Sequence, residues 1–500
     1  MSRPTDRVTS SAESPAANAT VGRDLTPDEF RDAGHRLIDW IADFLAHPER
    51  HPVLSRVAPG EIRGQLPASA PGDAAPFDQI LEDFERILVP GLTQWNHPGF
   101  LAYFPDGNSA IGTLADLLST AMGQQAMLWR TSPAATELEE VTLGWLRREL
   151  GLPDVFEGVI YDTASTSTLH ALAAARELRV DAVRELGLTA RALPEMRVYC
   201  SDQTHSSVEK AAIVLGFGHR AVRKIQSDRS YRMDPGALAI ALKDDLAAGH
   251  LPVAVVATVG TTSSGAVDPV PAIAETCRAS GLWLHVDAAY AGSAALLPER
   301  RWILDGCDLA DSIVVNPHKW LFTPFDLSAF FCRRMNVLRQ AFALTPEYLR
   351  TSEGGEVRNL MDTGFQLGRR FRALKLWMVM RHFGVGGLRA QLAEHIRLAA
   401  RFAALVDDSP SFERLADATF GLVCFRARPE SHAGDEAALD RLNAELMERI
   451  NAAGEIFLSH TRLDGRFTLR LAIGHLGSNQ AWIDRAWRLL NEHLDALADP

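Results

Sequence analysis

The alternation of short apolar runs with helical stretches between about residue 110 and residue 385 predicts an α/β protein built on a mostly parallel, twisted sheet. Three observations carry this expectation. The runs are short and rich in Val and Ile, as strands buried on both faces are. Between them lie amphipathic segments long enough to serve as crossover helices. Polar residues collect just after the runs, at the strand ends where ligands sit in such sheets.

Composition narrows the functional classes. The chain has 500 residues, 47% of them hydrophobic and 23% charged, which is ordinary for globular protein and long enough for a large core in two or three domains. The net charge of −12 argues against a general nucleic-acid or anionic-membrane binder, which should carry a basic face. Cys200, Cys277, Cys307, Cys332 and Cys424 show no C-x-x-C spacing, a pattern of reduced core thiols expected in a cytoplasmic protein. No apolar run reaches the ~20 residues of a membrane span, and no secretory signal is expected. The histidines form no H-E-x-x-H and no Cys/His cluster, so no metal site is expected. Gly216-Phe217-Gly218-His219-Arg220-Ala221 matches G-x-G-x-x-A but follows a helical run instead of opening one, which makes it a poor dinucleotide signal.

In chain order, residues 1–23 are rich in Ser, Ala, Thr and Pro and predict a disordered tail. Residues 24–105 form an N-terminal helical segment. Its first helix starts at Thr26-Pro27-Asp28-Glu29, with Thr26 as N-cap and Glu29 completing a capping box. Phe30, Leu37, Ile38, Ile41 and Leu45 then recur at helical spacing, and a second helix spans 76–88. The segment encloses little core of its own and must lie on the main body or on a second subunit. The large domain is expected over 106–387, with strands at 158–161, 197–201, 253–258, 283–286 and 313–316 and helices at 167–179, 206–215, 235–248 and 271–280. A small α+β domain is expected over 388–500, with a bridging helix at 388–405, strands at 422–426 and 467–472, and helices at 439–450 and 482–494.

The chemistry-bearing residues follow these strands. Lys319 stands just past an apolar run, among Pro317, His318 and Trp320. A desolvated lysine there can lose its proton and attack carbonyls, although an isolated lysine at a strand end more often snorkels to water. Asp287, in His285-Val286-Asp287-Ala288-Ala289-Tyr290, ends another apolar strand. A buried carboxylate there needs a cationic or hydrogen-bonding partner, which a protonated pyridine nitrogen or an arginine can supply. His205 follows a further strand and can stack on a planar ring. The run Tyr161-Asp162-Thr163-Ala164-Ser165-Thr166 opens a helix and suits an anion, or is a plain cap cluster. Thr258 and Thr262 follow another strand. A lysine for a carbonyl, an acid for a ring nitrogen, a ring for stacking and an anion cup together point to pyridoxal 5'-phosphate.

With these residues in view, Asn316-Pro317-His318-Lys319-Trp320, His285-Val286-Asp287-Ala288-Ala289-Tyr290-Ala291-Gly292 and Ser201-Asp202-Gln203-Thr204-His205-Ser206-Ser207 resemble the signatures of the group II pyridoxal-phosphate decarboxylases, nearest to the aromatic-L-amino-acid decarboxylases. The resemblance runs from about Thr26 to Leu490. It implies fold type I, the aspartate aminotransferase-like fold, and a homodimer whose N-terminal helices wrap the partner. Carried over position by position, Lys319 would hold the cofactor, Asp287 would pair with its ring nitrogen and His205 would stack on its ring. Ala164, Ser165 and Asn316 would hold the phosphate, with Thr258 and Ala289 beside the ring. His318 would lie near the substrate, and Trp95, Tyr103, Phe104 and Pro105 would form the substrate-pocket wall. Tyr348 matches the mobile-loop tyrosine of true decarboxylases, which would protonate the substrate carbon; a phenylalanine there resembles the aldehyde synthases. Departures from the pattern touch the pocket: Asp162 and Thr163 replace glycine and serine in the phosphate loop, and Asp106 and Gly107 replace threonine and alanine after the aromatic loop. The implied reaction is decarboxylation of an aromatic L-amino acid to amine and carbon dioxide. An aldehyde synthase or an acidic-amino-acid decarboxylase of the same fold is the alternative.

Overall fold

A sheet of seven strands organises the chain in the computed structural model, which describes residues 23–189, 191–344 and 357–498. Its strands are β1 (Glu157–Tyr161), β2 (Met196–Ser201), β3 (Val222–Ile225), β4 (Leu251–Thr258), β5 (Trp283–Asp287), β6 (Ser312–Val315) and β7 (Ser328–Cys332), in the order β1-β7-β6-β5-β4-β2-β3. β2, β3, β4, β5 and β6 pair in parallel. β7 runs antiparallel to both β1 and β6, so β1 points the same way as the parallel set. β4, β5 and β6 are almost wholly buried, as strands covered by helices on both faces must be.

This is the predicted α/β class. All five predicted strands of the large domain are present, but β3 and β7 were not predicted. β3 carries Arg223 and Lys224 at the sheet edge, so its pattern is too polar to read as an apolar run. β7, Ser328–Cys332, is fully buried and returns on β6 after the turn that carries Lys319. Asn316, expected inside a strand, instead precedes the one-turn helix Pro317–Trp320.

A second sheet, β8 (Phe412–Arg414), β9 (Leu422–Ala427), β10 (Ser459–Leu463) and β11 (Arg466–Ala472), has the order β10-β11-β9-β8 and is antiparallel throughout. The helices Glu436–Ala453 and Gln480–Ala498 contribute Leu446, Ile450, Ile483 and Leu490 to the core that includes Phe425 and Leu469 of this sheet. Between the two sheets runs Ala373–Asp407, two helices joined at Gly384, whose φ of 61° and ψ of 168° are open to glycine alone.

The chain divides into two compact units, Met1–His51 with Val57–Leu92, and Pro52–Arg56 with Thr93–Pro500. In the first, the helix Pro27–Ala46 begins with the predicted capping box: Thr26 Oγ1 accepts from the Glu29 N–H, and the Glu29 carboxylate accepts from the Thr26 N–H. That helix buries only Ala33 in the single chain, while Phe30, Ile38 and Leu45 stay exposed. The predicted tail at 1–23 lies outside the described residues except for Arg23. No helix among the described residues is long and apolar enough to cross a membrane.

Candidate active site

The carboxyl ends of β1, β2, β4, β5 and β6 converge on one cleft in the second unit, with an empty volume of about 670 Å³ counted out to its mouth. Pairing of β4 with β5 sets Thr258 beside Asp287, and pairing of β5 with β6 sets Asp287 beside Val314, one turn from Lys319. Lys319, Asp287, His205, Thr258, Ala289, Asn316, His318, Ala164, Ser165 and Phe104 all line this cleft, so residues as far apart in sequence as 104 and 319 meet there.

Lys319 is aimed by its neighbours. Pro317 starts a one-turn helix in which the Lys319 N–H donates to the Asn316 carbonyl at 2.9 Å. Trp320 is fully buried and donates through Nε1 to His395 Nδ1 at 3.0 Å, which anchors the turn on the core side and leaves Lys319 on the cleft side. Burial pushes the Lys319 ammonium below its ordinary value, against the opposing pull of Asp287 and Asp106. Its Nζ lies 5.5 Å from the centroid of the Phe104 ring.

Asp287 is buried, and its Oδ1 accepts from the Ala289 N–H at 3.1 Å. His205 turns its ring to the cleft. Its Nδ1 accepts from the Ser207 N–H at 3.1 Å, which leaves the proton of the neutral ring on Nε2. Burial lowers the His205 pKa, Asp287 raises it and Lys319 lowers it again. His318 is buried, and burial followed by the charge of Lys319 pushes it down to about 3, so it is neutral at pH 7.

The residues present fit a phosphorylated pyridine. His318 Nδ1 accepts from the Leu327 N–H at 2.9 Å, so Nε2 carries the proton and the Asn316 amide, 3.2 Å away, must face it with oxygen. The other end of that buried amide has no protein partner, which suits a donor to an anion. The helix Ala164–Arg179 begins in the cleft, and the Ser167 N–H makes the bond to Thr163, so the N–H groups of Ala164 and Ser165 precede it. Asp162, the unexpected acid of this loop, is occupied locally: its Oδ1 accepts from the Thr163 N–H at 2.5 Å and from the Thr163 hydroxyl at 3.3 Å.

Other predicted wall residues do not reach this cleft. Trp95 and Tyr103 are exposed and stack on each other at 5.7 Å, away from Lys319. Pro105 is buried, with its ring close to the Cα of Gly474. Of the aromatic loop, Phe104 alone lines the cleft, stacked on Tyr290 at 3.8 Å and 18°. Tyr348 lies outside the described residues.

The sequence reading gave no role to Tyr290, Phe325 and Asp268. Tyr290 and Phe325 line the cleft. Asp268 is buried behind Thr258, accepts from the N–H groups of Thr258 and Met233 at 2.7 Å each, and is pushed by burial up to about 7. Asp268 belongs to no motif in the sequence, and only its bond to the Thr258 N–H ties it to the site.

A lysine, a buried carboxylate and a helix N-terminus at the strand ends of a seven-stranded sheet define a fold type I pyridoxal-phosphate enzyme. The chain belongs to the pyridoxal-dependent decarboxylase family, whose conserved-domain profile matches residues 59–428. Tyrosine decarboxylase 4 of Petroselinum crispum is 41% identical over 489 residues, covering 95% of each chain. Phenylacetaldehyde synthase of Arabidopsis thaliana is 40% identical over 487 residues, covering 95% of this chain and 98% of that one. The crystal structure of Oryza sativa TDC with PLP and tryptamine superposes with a TM-score of 0.92 at 40% identity, covering 95% of this chain and 99% of that one.

Proposed function

We propose that this enzyme decarboxylates an aromatic L-amino acid to its amine and carbon dioxide, with pyridoxal phosphate carried on Lys319. The observation that carries the reading is the make-up of the cleft. Lys319 and Asp287 face it together with the aromatic rings of Phe104, Tyr290 and Phe325, and no arginine stands among its described lining residues to hold a second carboxylate. That last feature disfavours an acidic amino acid.

Bound there, the cofactor supplies an electron sink for the bond broken at the substrate's Cα. The chain supplies the rest. Burial favours the neutral Lys319 amine, the form that attacks a carbonyl. Asp287 offers a fixed negative charge to a protonated ring nitrogen, and Ala289 holds its orientation through the 3.1 Å bond. His205 would stack on the cofactor ring. Ala164, Ser165 and Asn316 would hold the cofactor's phosphate, and Thr258 and Ala289 would lie beside its ring. Neutral His318 lies on the substrate side without adding charge. Tyr348 donates the proton that completes the amine, a role that rests on its family match.

Absorbance of the imine band, followed by carbon dioxide and amine release with a panel of amino acids, tests this reading. Lys319→Ala is expected to abolish the band and turnover, and retained activity would refute it. The second reading is an aldehyde synthase, which the Arabidopsis relative favours through an identity equal to that of the rice structure. Amine as the dominant product excludes it. Tyr348→Phe is expected to shift product from amine toward aldehyde and ammonia, and an unchanged amine yield removes Tyr348 from the scheme.

The same reading makes the protein a homodimer. Supporting it are the exposed apolar residues Phe30, Ile38 and Leu45 of the first unit and Leu114, Leu117, Leu118 and Met122 around the helix Ala110–Ala121. A cytoplasmic location is supported by the five cysteines, all buried and unpaired. A small region over 388–500 is supported by its separate sheet and by the break at Gly384.

A further inference from the structure

Arg470 lies on β11, in a strand that is otherwise apolar apart from Arg466 and Thr468, and only 4% of it is exposed. A buried cation without an anionic partner is costly, and among the described residues no carboxylate pairs with this one. All of its hydrogen bonds go to neutral acceptors. Nε donates to the Ser263 carbonyl at 3.1 Å and Nη1 to Ser459 Oγ at 3.0 Å. Nη2 donates to the carbonyls of Thr262 at 2.7 Å and Tyr103 at 3.4 Å. Ser459 Oγ also accepts from the Tyr103 N–H at 3.0 Å. Both backbone polar groups of Tyr103 are therefore held, one directly by Arg470 and one through Ser459.

Tyr103 needs holding. Its φ is +49°, a left-handed conformation that a tyrosine adopts only at a cost. That turn separates the outward ring of Tyr103 from the inward ring of Phe104. The Phe104 ring then meets Tyr290 at 3.8 Å and the Arg470 guanidinium carbon at 5.2 Å from its centroid. The same guanidinium fixes the loop after β4, from which Thr262 lines the cleft.

We infer that Arg470 is a positioning residue for the substrate: with Ser459 it locks the turn at Tyr103, sets Phe104 against Tyr290, and so gives the cleft its preference for a planar side chain. A guanidinium suits this task because its rigid fork reaches three chain segments at once and its flat face stacks on an aromatic ring. The inference rests on the aromatic-substrate reading.

The test uses cofactor-loaded Arg470→Lys, Arg470→Met, Phe104→Leu and the double variant Arg470→Lys/Phe104→Leu. Steady-state kinetics are read with tyrosine, tryptophan and leucine. With cofactor absorbance retained, Arg470→Lys is expected to raise KM for the aromatic substrates about tenfold, the scale of a lost apolar contact, while kcat changes little. Discrimination against leucine should shrink in step. The double variant should be no worse than Phe104→Leu, because both changes remove one interaction. Unchanged KM and discrimination in a loaded Arg470→Lys enzyme overturns the inference, and so do effects that multiply in the double variant. If Arg470→Met does not fold, Ser459→Ala takes its place and must shift KM in the same direction. A wild-type enzyme inactive on every aromatic amino acid refutes the aromatic-substrate reading instead. In that case Arg470→Lys is measured on whichever amino acid the wild type does turn over, and an unchanged KM there overturns the clamp as well.

Discussion

Asp106 shows how a single side chain can couple the cleft to pH. Burial pushes its carboxyl up to about 6, against the pull of Lys319, and the ordinary value is about 4. Between those values the folded protein binds more protons than the unfolded chain, so stability falls as pH rises through the window and the penalty is complete above it. Asp106→Asn is expected to raise thermal stability at pH 8, on the order of 1 kcal/mol after allowance for solvent screening, and to leave it nearly unchanged at pH 4. Thermal unfolding at both pH values reads this, and equal gains at both would disprove the assignment. Asp287→Asn keeps the size of the side chain but removes its charge, and should lower kcat by roughly a hundredfold or more with the fold intact by circular dichroism. Lys319 and Asp287 were legible in sequence because each stands at the end of an apolar run beside distinctive neighbours. Phe104 could not be told from Trp95 and Tyr103. The three are alike in chemistry, and only the left-handed turn at Tyr103 sends one inward and leaves the others out.

Helices and strands were readable where one physical signal dominates. The capping box at Thr26 and the buried strands β4 and β5 are such cases. The helix predicted over 388–405 is longer, Ala373–Asp407, because its first part is a separate helix joined through Gly384. A residue with a side chain is strained at that φ and ψ, so Gly384→Ala is expected to cost about 1–3 kcal/mol, measured by denaturant unfolding. No loss of stability would mean that the two helices can straighten into one. β7 escaped the sequence reading because it is short and its place in the sheet rests in part on β1, far earlier in the chain.

For the whole molecule, Leu114, Leu117 and Leu118 form an exposed apolar face that a second subunit would cover. Leu117→Asp is expected to convert a dimer to a monomer in light scattering and to remove most activity. A monomeric wild type would instead remove the homodimer from the proposed function.

Local pattern was enough to indicate the α/β class, the positions of five of the seven strands of the main sheet and the strand-end placing of Lys319, Asp287 and His205, because burial, capping and strand-end polarity are written over a few neighbouring positions. Tertiary structure alone decided the antiparallel β7, the inward turn of Phe104, the tie between Asp268 and Thr258, and the reach of Arg470 from β11 to Tyr103 and Thr262. These arrangements bring separate segments together through strand pairing, hydrogen bonds or a ring contact, and no periodicity in sequence encodes which groups will meet.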